Sequence, residues 1–375
     1  KYSRILMVAL FATGISGIVA EYILATLATY FLGDSTFQWT MVLSFMLFSM
    51  GLGARVSKLF AKHEILIFIR VELVLSILTS FSALIVYMIM PYLRDLSLLI
   101  YGLSILIGLL IGMEIPLVTR INAEFKTLST NISSVMEKDY YGSLVGGIFF
   151  AFIGIPFLGL TYTPFIVGGI NFVIALLVLI QFRTILPNKK RINGTLVSLL
   201  TGVIMLLGLI FAQPIVLFGN QSRFDEKVIF TEQTKYQQIT ITQWREHYWL
   251  YLNQGKQLST FDEWMYHEPL VHPVMMLNPE HQHVLVMGAG DGCAVREILK
   301  YPRVEQVTVV DLDPRMTDIG KNHPIFRNIN QDAFHSQKVK IINADAFTFL
   351  EETNQFYDVI IADFPDPRTI ELNRL

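Results

Sequence analysis

Before residue 220 the chain is a succession of apolar runs, each about twenty residues long, and nothing else in it restricts the structure as severely. Wound as a helix, a run of that length matches the hydrocarbon thickness of a bilayer. In that medium every backbone N–H and C=O must be satisfied within the protein, which leaves helices and closed barrels. The runs are continuous rather than alternating, so they predict helices. Seven spans are read, at 5–32, 38–60, 64–90, 96–118, 140–160, 164–182 and 195–218. Composition agrees, with 53% hydrophobic and 16% charged residues and a mean hydropathy of +0.48. Past residue 220 the chain is ordinarily polar. The expected organisation is an all-α transmembrane bundle over 1–219, a small antiparallel β domain over 220–261 and a Rossmann-like α/β domain over 262–375.

Small residues at Gly14–Gly17, Gly51–Gly53 and Gly142/Gly146/Gly147 would let helices approach closely. Lys and Arg gather in alternate connections: Lys1/Arg4, then Arg55/Lys58/Lys62/Arg70, then Arg120/Lys126/Lys138, then Arg183/Lys189/Lys190/Arg191. Such connections are cytoplasmic in multi-pass proteins of the cell membrane. Seven spans then put the N-terminus inside and the polar half outside, where a nucleotide-type metabolite is scarce. The two arguments oppose each other, and the side of the polar half stays open. Within the spans stand Glu21, Glu72, Glu114 and the cluster Glu137-Lys138-Asp139. Intramembrane charges are costly and often functional. Glu21 is the best candidate for a polar path, Glu72 and Glu114 lying near span ends. A bundle with acids and no matching buried Lys would attract organic cations.

In the polar half an apolar run leads straight into a glycine turn, Val284-Leu-Val-Met-Gly-Ala-Gly-Asp-Gly-Cys293. A strand, a Gly-x-Gly-x-Gly turn and a helix make a nucleotide-binding βα unit, because glycine lets the turn close and a ligand approach the backbone. Gly288 and Gly290 are therefore nucleoside-site candidates. Asp311 and Asp313 follow about twenty residues on, after a second apolar strand, where an acid suits ribose hydroxyls. Asp291 places a carboxylate within the loop, so the bound molecule carries a cation or an amine there.

Strands at 284–287, 304–310, 338–342 and 357–362 alternate with helices at 294–301, 315–322 and 346–353, which means a parallel sheet. Acids appear at the strand ends, where such sheets bind ligands: Asp311, Asp313, Asp345, Asp363 and Asp366. Asp313 and Asp345 also fit as helix N-caps. Upstream, 227–231, 236–243 and 247–252 with a return after Asn253 read as an antiparallel platform or lid. A helix over 262–277 is expected to be interrupted at Pro269 and Pro273, which separates His267 from His272 and argues against a metal site. The net charge of −2 and the absence of a basic patch exclude nucleic acid as partner. The single Cys293 excludes an internal disulfide and reads as a small residue that fits.

These motifs carry a resemblance. Tyr236-Gln237, Leu250–Gln257, Asp262-Glu263-x-x-Tyr266-His267-Glu268, the Gly-Ala-Gly-Asp-Gly loop, Val310-Asp-Leu-Asp-Pro314, Asn343-Ala-Asp-Ala346 and Asp363–Pro367 resemble the spermidine synthase (polyamine aminopropyltransferase) family. Lys138–Gly147 resembles its multi-pass membrane branch. The resemblance implies aminopropyl transfer from decarboxylated S-adenosylmethionine, a co-substrate rather than a cofactor, to putrescine or a related amine, with release of methylthioadenosine. It implies Gln237, Asp311, Asp345 and Ala346 at the nucleoside, Tyr266, His267, Asp291 and Asp366 at the amines, and Asp363 as base. A methyltransferase using S-adenosylmethionine, or a membrane polyamine transporter or sensor, are the alternatives, and the charge of Asp291 and the presence of Asp363 speak against them. Asp311 departs from the family's usual Glu, and Asn253-Gln-Gly-Lys256 from its usual turn. The lipid bilayer is an expected partner, and homo-oligomerisation is left open. Lys1 and Leu375 are expected to be internal to a longer chain, since the sheet implied by the resemblance has about seven strands.

Overall fold

The computed structural model describes residues 2–60, 64–93, 95–123, 128–253 and 255–364. The chain divides into two compact units, Lys1–Arg223 and Phe224–Leu375. The division expected at 219/220 falls inside a helix that continues to Gln221, and residues 224–261 lie in the same compact unit as 262–375.

The first unit is helical throughout: α1 (Tyr2–Leu32), α2 (Ser35–Val56), α3 (Glu64–Ile89), α4 (Ser97–Asn122), α5 (Leu128–Phe149), α6 (Gly159–Gln181) and α7 (Asn188–Gln221). Among the described residues six helical runs are, by length and composition, able to cross a membrane, because α5 and α6 are joined through a π-helical stretch, Phe150–Leu158, and count as one run from Asn131 to Gln181. That run nevertheless turns back. Gly142 lies against Phe11, Gly146 against Ile15 and Ile18, and Phe150 against Tyr22, so α5 runs parallel to α1. Pro156 removes a backbone donor within the π stretch and Gly159 takes φ +62°, which together break the helix direction. Afterwards α6 returns until Phe182 stacks on Tyr2 at 4.9 Å. Among the described residues seven helices, α1 to α7, therefore traverse the bundle.

Close packing depends on bare backbone. A Cβ at Gly14, Gly53, Gly112 or Gly142 would run into the backbone of the facing helix, whereas Gly51 faces open space. Glu72 and Glu114 are both buried where α3 and α4 meet. Glu21 is also buried, but it lies about two turns along α1 from Thr13, the α1 residue that Glu114 faces.

The second unit begins with an antiparallel meander, β1 (Lys227–Gln233), β2 (Gln238–Trp244), β3 (His247–Leu252) and β4 (Gly255–Ser259). Then come α8 (Trp264–Leu277), β5 (His283–Gly288), α9 (Cys293–Ile298), β6 (Gln306–Asp311), α10 (Pro314–Asn322), α11 (Pro324–Ile329), β7 (Val339–Asn343), α12 (Ala346–Glu352) and β8 (Val359–Asp363). Strands β5 to β8 form a parallel sheet in the order β7-β6-β5-β8. Its central strand reads His-Val-Leu-Val-Met-Gly with Val284, Leu285 and Val286 fully buried, as expected when both faces are covered. Because sequential strands are laid down on opposite sides of β5, a crevice opens beyond its carboxyl end, the usual ligand position in such sheets.

Pro269 and Pro273 do not interrupt α8, which runs unbroken from Trp264 to Leu277. The missing N–H groups leave the helix intact because Val271 and Met275 anchor it in the core, and tertiary packing outweighs local propensity. The meander is a fixed platform rather than a lid: Ile239, Ile241, Leu250 and Leu258 share a core with Met316, Ile319, Phe326 and Cys293. Cys293 is buried there as a small packing residue.

Two glycines of α4 separate packing from propensity. Gly112→Ala meets the Met50 backbone and should destabilise the bundle by about 1–3 kcal/mol. Gly102→Ala has nothing within 4 Å of its Cβ and should stabilise by about 0.5–1 kcal/mol. Thermal unfolding in detergent measures both, and equal midpoints would contradict the α2–α4 contact.

Candidate active site

The pairing of β5 with β8 brings the glycine loop to the base candidate, since Gly288 and Asp363 are register partners at the carboxyl ends of these strands. Gly288 has φ +84°, and a Cβ on it would collide with the Asp363 carbonyl, so only glycine fits. Ala289 at φ +59° and Gly292 at φ +83° complete the turn. Asp291 accepts from Cys293 N–H at 2.7 Å, which closes the turn leading into α9. The loop is braced from behind by Asn330, whose side-chain amide donates to Asp291 O at 2.8 Å and Gly320 O at 2.7 Å.

The first turns of α8 supply the other wall. Tyr266 donates its hydroxyl proton to Asp363 Oδ1 at 2.6 Å. One residue on, the buried His267 turns Nε2 toward Asp291 Oδ1 at 3.9 Å and shares Nδ1 with Glu263, its Oε2 at 2.9 Å and its carbonyl at 2.9 Å. Ligating atoms of His267, Asp291 and Asp363 all lie within 4.8 Å of one another. His272 belongs elsewhere, with Glu268 and Glu297, so the two histidines do not share a site.

Burial is the main cause that pushes the Asp363 carboxyl up, to about 6, and the Asp291 charge adds to it, while the Tyr266 hydrogen bond and His267 pull it back. Burial alone would lower the His267 imidazole, but the Glu263 hydrogen bond and the charges of Asp291, Asp363 and Glu263 outweigh it and raise it. For Glu263 burial acts upward, and the bonds from His267 and Arg296 overcome it and bring the carboxyl down to about 2. Arg296 grips Glu263 with two guanidinium nitrogens at 2.9 and 3.0 Å. Counted formally with His267 protonated, three carboxylates (Glu263, Asp291, Asp363) face two cations (His267, Arg296). One negative charge is left for an incoming ammonium.

Beyond the β6 end, Asp311 Oδ1 accepts from Asp313 N–H at 2.8 Å, and Oδ2 lies against Gly290 so closely that a Cβ there would stand 2.7 Å away. Burial raises the Asp311 carboxyl to about 6 despite these backbone donors. Its carboxylate thus holds the glycine loop as well as facing the crevice. Asp313 caps α10 through Arg315 N–H and accepts from Gln237 Nε2 at 3.1 Å and Thr234 Oγ1 at 2.8 Å, which ties the platform to the sheet. Asp345 caps α12, accepting from Thr348 N–H at 2.8 Å, and Ala346 is the first residue of that helix. Asp366 lies outside the described residues.

Sequence reasoning gathered Tyr266, His267, Asp291 and Asp363, and the structure brings them together. It missed Glu263, Arg296 and Asn330 as the frame. The Glu263/His267 spacing of four on a helix was the available signal. Nothing local marks Arg296 or Asn330, which reach the site only through tertiary packing.

A family model described as "Spermine/spermidine synthase domain" matches residues 263–373. The chain is 41% identical over 368 residues to "Polyamine aminopropyltransferase 2" of Aquifex aeolicus, covering 98% of this chain and 73% of that protein. It is 38% identical over 364 residues to "Polyamine aminopropyltransferase" of Leptospira interrogans, covering 96% and 72%. A solved structure of spermidine synthase in complex with the transition state analogue AdoDATO aligns at TM-score 0.36 and 29% identity, covering 38% of this chain and 48% of that one. Identity at this level, sustained over almost all of the chain, decides the family: the chain belongs to the polyamine aminopropyltransferases and is an aminopropyltransferase.

Proposed function

We propose that the second unit moves the aminopropyl group of decarboxylated S-adenosylmethionine to putrescine or a related diamine. The convergence of His267, Asp291 and Asp363 at the β5 and β8 ends carries this reading. The nucleoside would lie over Gly288 and Gly290 toward Asp311, Asp345 and Ala346, with Gln237 closing from the platform. Asp291 would receive the donor's primary ammonium, and Tyr266 and His267 would flank the acceptor, with Asp366 as a further amine contact. A neutral acceptor nitrogen attacks the methylene beside the sulfonium. The C–N bond forms as C–S breaks, sulfur keeps the electron pair as a neutral thioether, and the nitrogen's proton passes to Asp363.

That last transfer is the difficult one. An alkylammonium has a pKa near 10 and a free carboxylate one near 4, a gap of roughly six units or about 8 kcal/mol. With Asp363 at about 6 the gap narrows to roughly four units, and desolvation of the ammonium narrows it further. Below that value the base is protonated and the rate falls; above it the carboxylate is ready. Asp363→Asn should therefore lower turnover by about 10²–10⁴ and remove the acid limb of the rate profile, with donor affinity nearly unchanged. Turnover above about a tenth of wild type would dismiss Asp363 as the base.

For Asp291 the test is differential. Asn keeps the oxygen that accepts from Cys293 N–H but loses the charge, so the loop should hold its shape. Asp291→Asn should weaken the decarboxylated donor by about tenfold or more, and methylthioadenosine, which lacks the ammonium, much less. Parallel losses for the two ligands would exclude the assignment.

The first unit we read as a multi-pass membrane domain, supported by six runs of sufficient length and hydropathy. Arg120 on α4 bonds Glu64 at the start of α3 and Ser57 after α2, and Phe182 after α6 stacks on Tyr2, so the basic connections share the face where α1 begins. Seven traversals deliver Gln221 to the other face, and the positive-inside rule makes that face non-cytoplasmic. In intact cells a membrane-impermeant maleimide should label Asp34→Cys and spare Arg55→Cys, the buried Cys293 contributing no background. The opposite labelling would reverse the orientation.

A further inference from the structure

Inside the helical bundle a second group of carboxylates meets, distinct from the site above. Glu72 of α3 is 0% exposed and Glu114 of α4 is 3% exposed, and the two carboxyl groups face each other. Glu114 also faces Asp139 of α5 and the Thr13 hydroxyl of α1. Four helices thus contribute to one polar spot. Among the described residues no Lys, Arg or His is in ion-pair contact with any of these acids; the neighbouring Lys138 pairs with Glu137 instead.

The buried oxygens are not satisfied internally. Both Glu72 oxygens and Glu114 Oε1 lie outside hydrogen-bond geometry with any partner. Carboxyl groups buried in an apolar interior with no cation beside them are costly for a bundle to hold, and a packing role would be served better by leucine. An independent set of groups extends the same path. Along α3 the face continues through Ser76, Thr79 and Ser80, and Thr79 Oγ1, Ser80 Oγ and Asn171 Oδ1 of α6 are likewise buried without a partner. Gly168 of α6 packs on Ser76 and Ser80, and Phe165 on Phe81, which sets α3 and α6 antiparallel and brings Asn171 toward the turn between Ser76 and Glu72.

A cavity of about 280 Å³ between α4 and α5 is lined by Asp139, the acid that faces Glu114. Ile115, Ile132, Val135 and Met136 make its wall apolar, and Asp139 supplies its carboxylate. An inorganic cation gains nothing from such a wall, and an anion is repelled by the acids. A chain of methylenes ending in ammonium satisfies both parts. We propose that this cavity and the Asp139–Glu114–Glu72 group form a second amine site, which takes an alkyl di- or polyamine with its methylenes along the wall and an ammonium on the carboxylates.

Equilibrium binding of radiolabelled putrescine to the full-length chain in nanodiscs tests it. Asp139→Asn and Glu114→Gln should each weaken one class of bound putrescine by about tenfold or more, the worth of one lost charged contact, while kcat and KM for aminopropyl transfer stay at wild type. That class should persist in Asp291→Asn, which separates it from the catalytic unit, and in Glu137→Gln, an exposed neighbour. Retained transfer activity shows that each variant is folded; should Glu114→Gln fail that check, Asp139→Asn on the cavity wall decides. The proposal is overturned if both variants bind putrescine as wild type does. It is equally overturned if sodium displaces the label as well as unlabelled putrescine does at equal concentration.

Discussion

Everything in the second unit depends on one backbone contact, the close approach of Gly288 to Asp363 where β5 and β8 end side by side. Parallel pairing fixes which residues emerge together, and the missing Cβ lets the glycine turn fold back over the neighbouring strand. Without it Asp291 and Asp363 would be separated, and the electrostatics would have no common centre. With it, two carboxylates are held near one another under partial burial, an arrangement that costs folding energy unless positive charge is supplied.

The protein supplies only part of that charge. His267 is kept protonated more readily by Glu263, and Glu263 is kept ionised by Arg296, so each link in the chain stabilises the charge state of the next. The chain stops short of neutrality. A site that satisfied Asp291 and Asp363 internally would have no affinity left for an amine. Asp363 is thereby left as a weak acid raised to about 6, close enough to working pH to be ionised and basic enough to accept a proton.

Much of this was legible in the sequence where local pattern and chemistry coincide. The strands β5 to β8 follow from β-branched runs, the glycine turn from its spacing, and the acids from their place at strand ends. The reading failed where packing overrules local preference. Pro269 and Pro273 predict a break in α8, yet the helix is pinned by Val271 and Met275. That Glu72 and Glu114 meet was equally out of reach, because which residues face each other across two helices is set by packing and not by local pattern.

The reversal at Gly159 separates two runs that the sequence also divides, 140–160 and 164–182, although the helix between them is continuous through Phe150–Leu158. What divides them is backbone chemistry: a proline that cannot donate and a glycine at positive φ. That turn also determines which acids can meet. Because α5 runs parallel to α1, Asp139 comes to the level of Gly14 and so to Thr13 and Glu114. Had the run continued straight for all 51 residues, its further half would have had no bundle to pack against. The break between the two passes is therefore the same feature that brings α6, with Gly168 and Asn171, back along α3 beside Glu72.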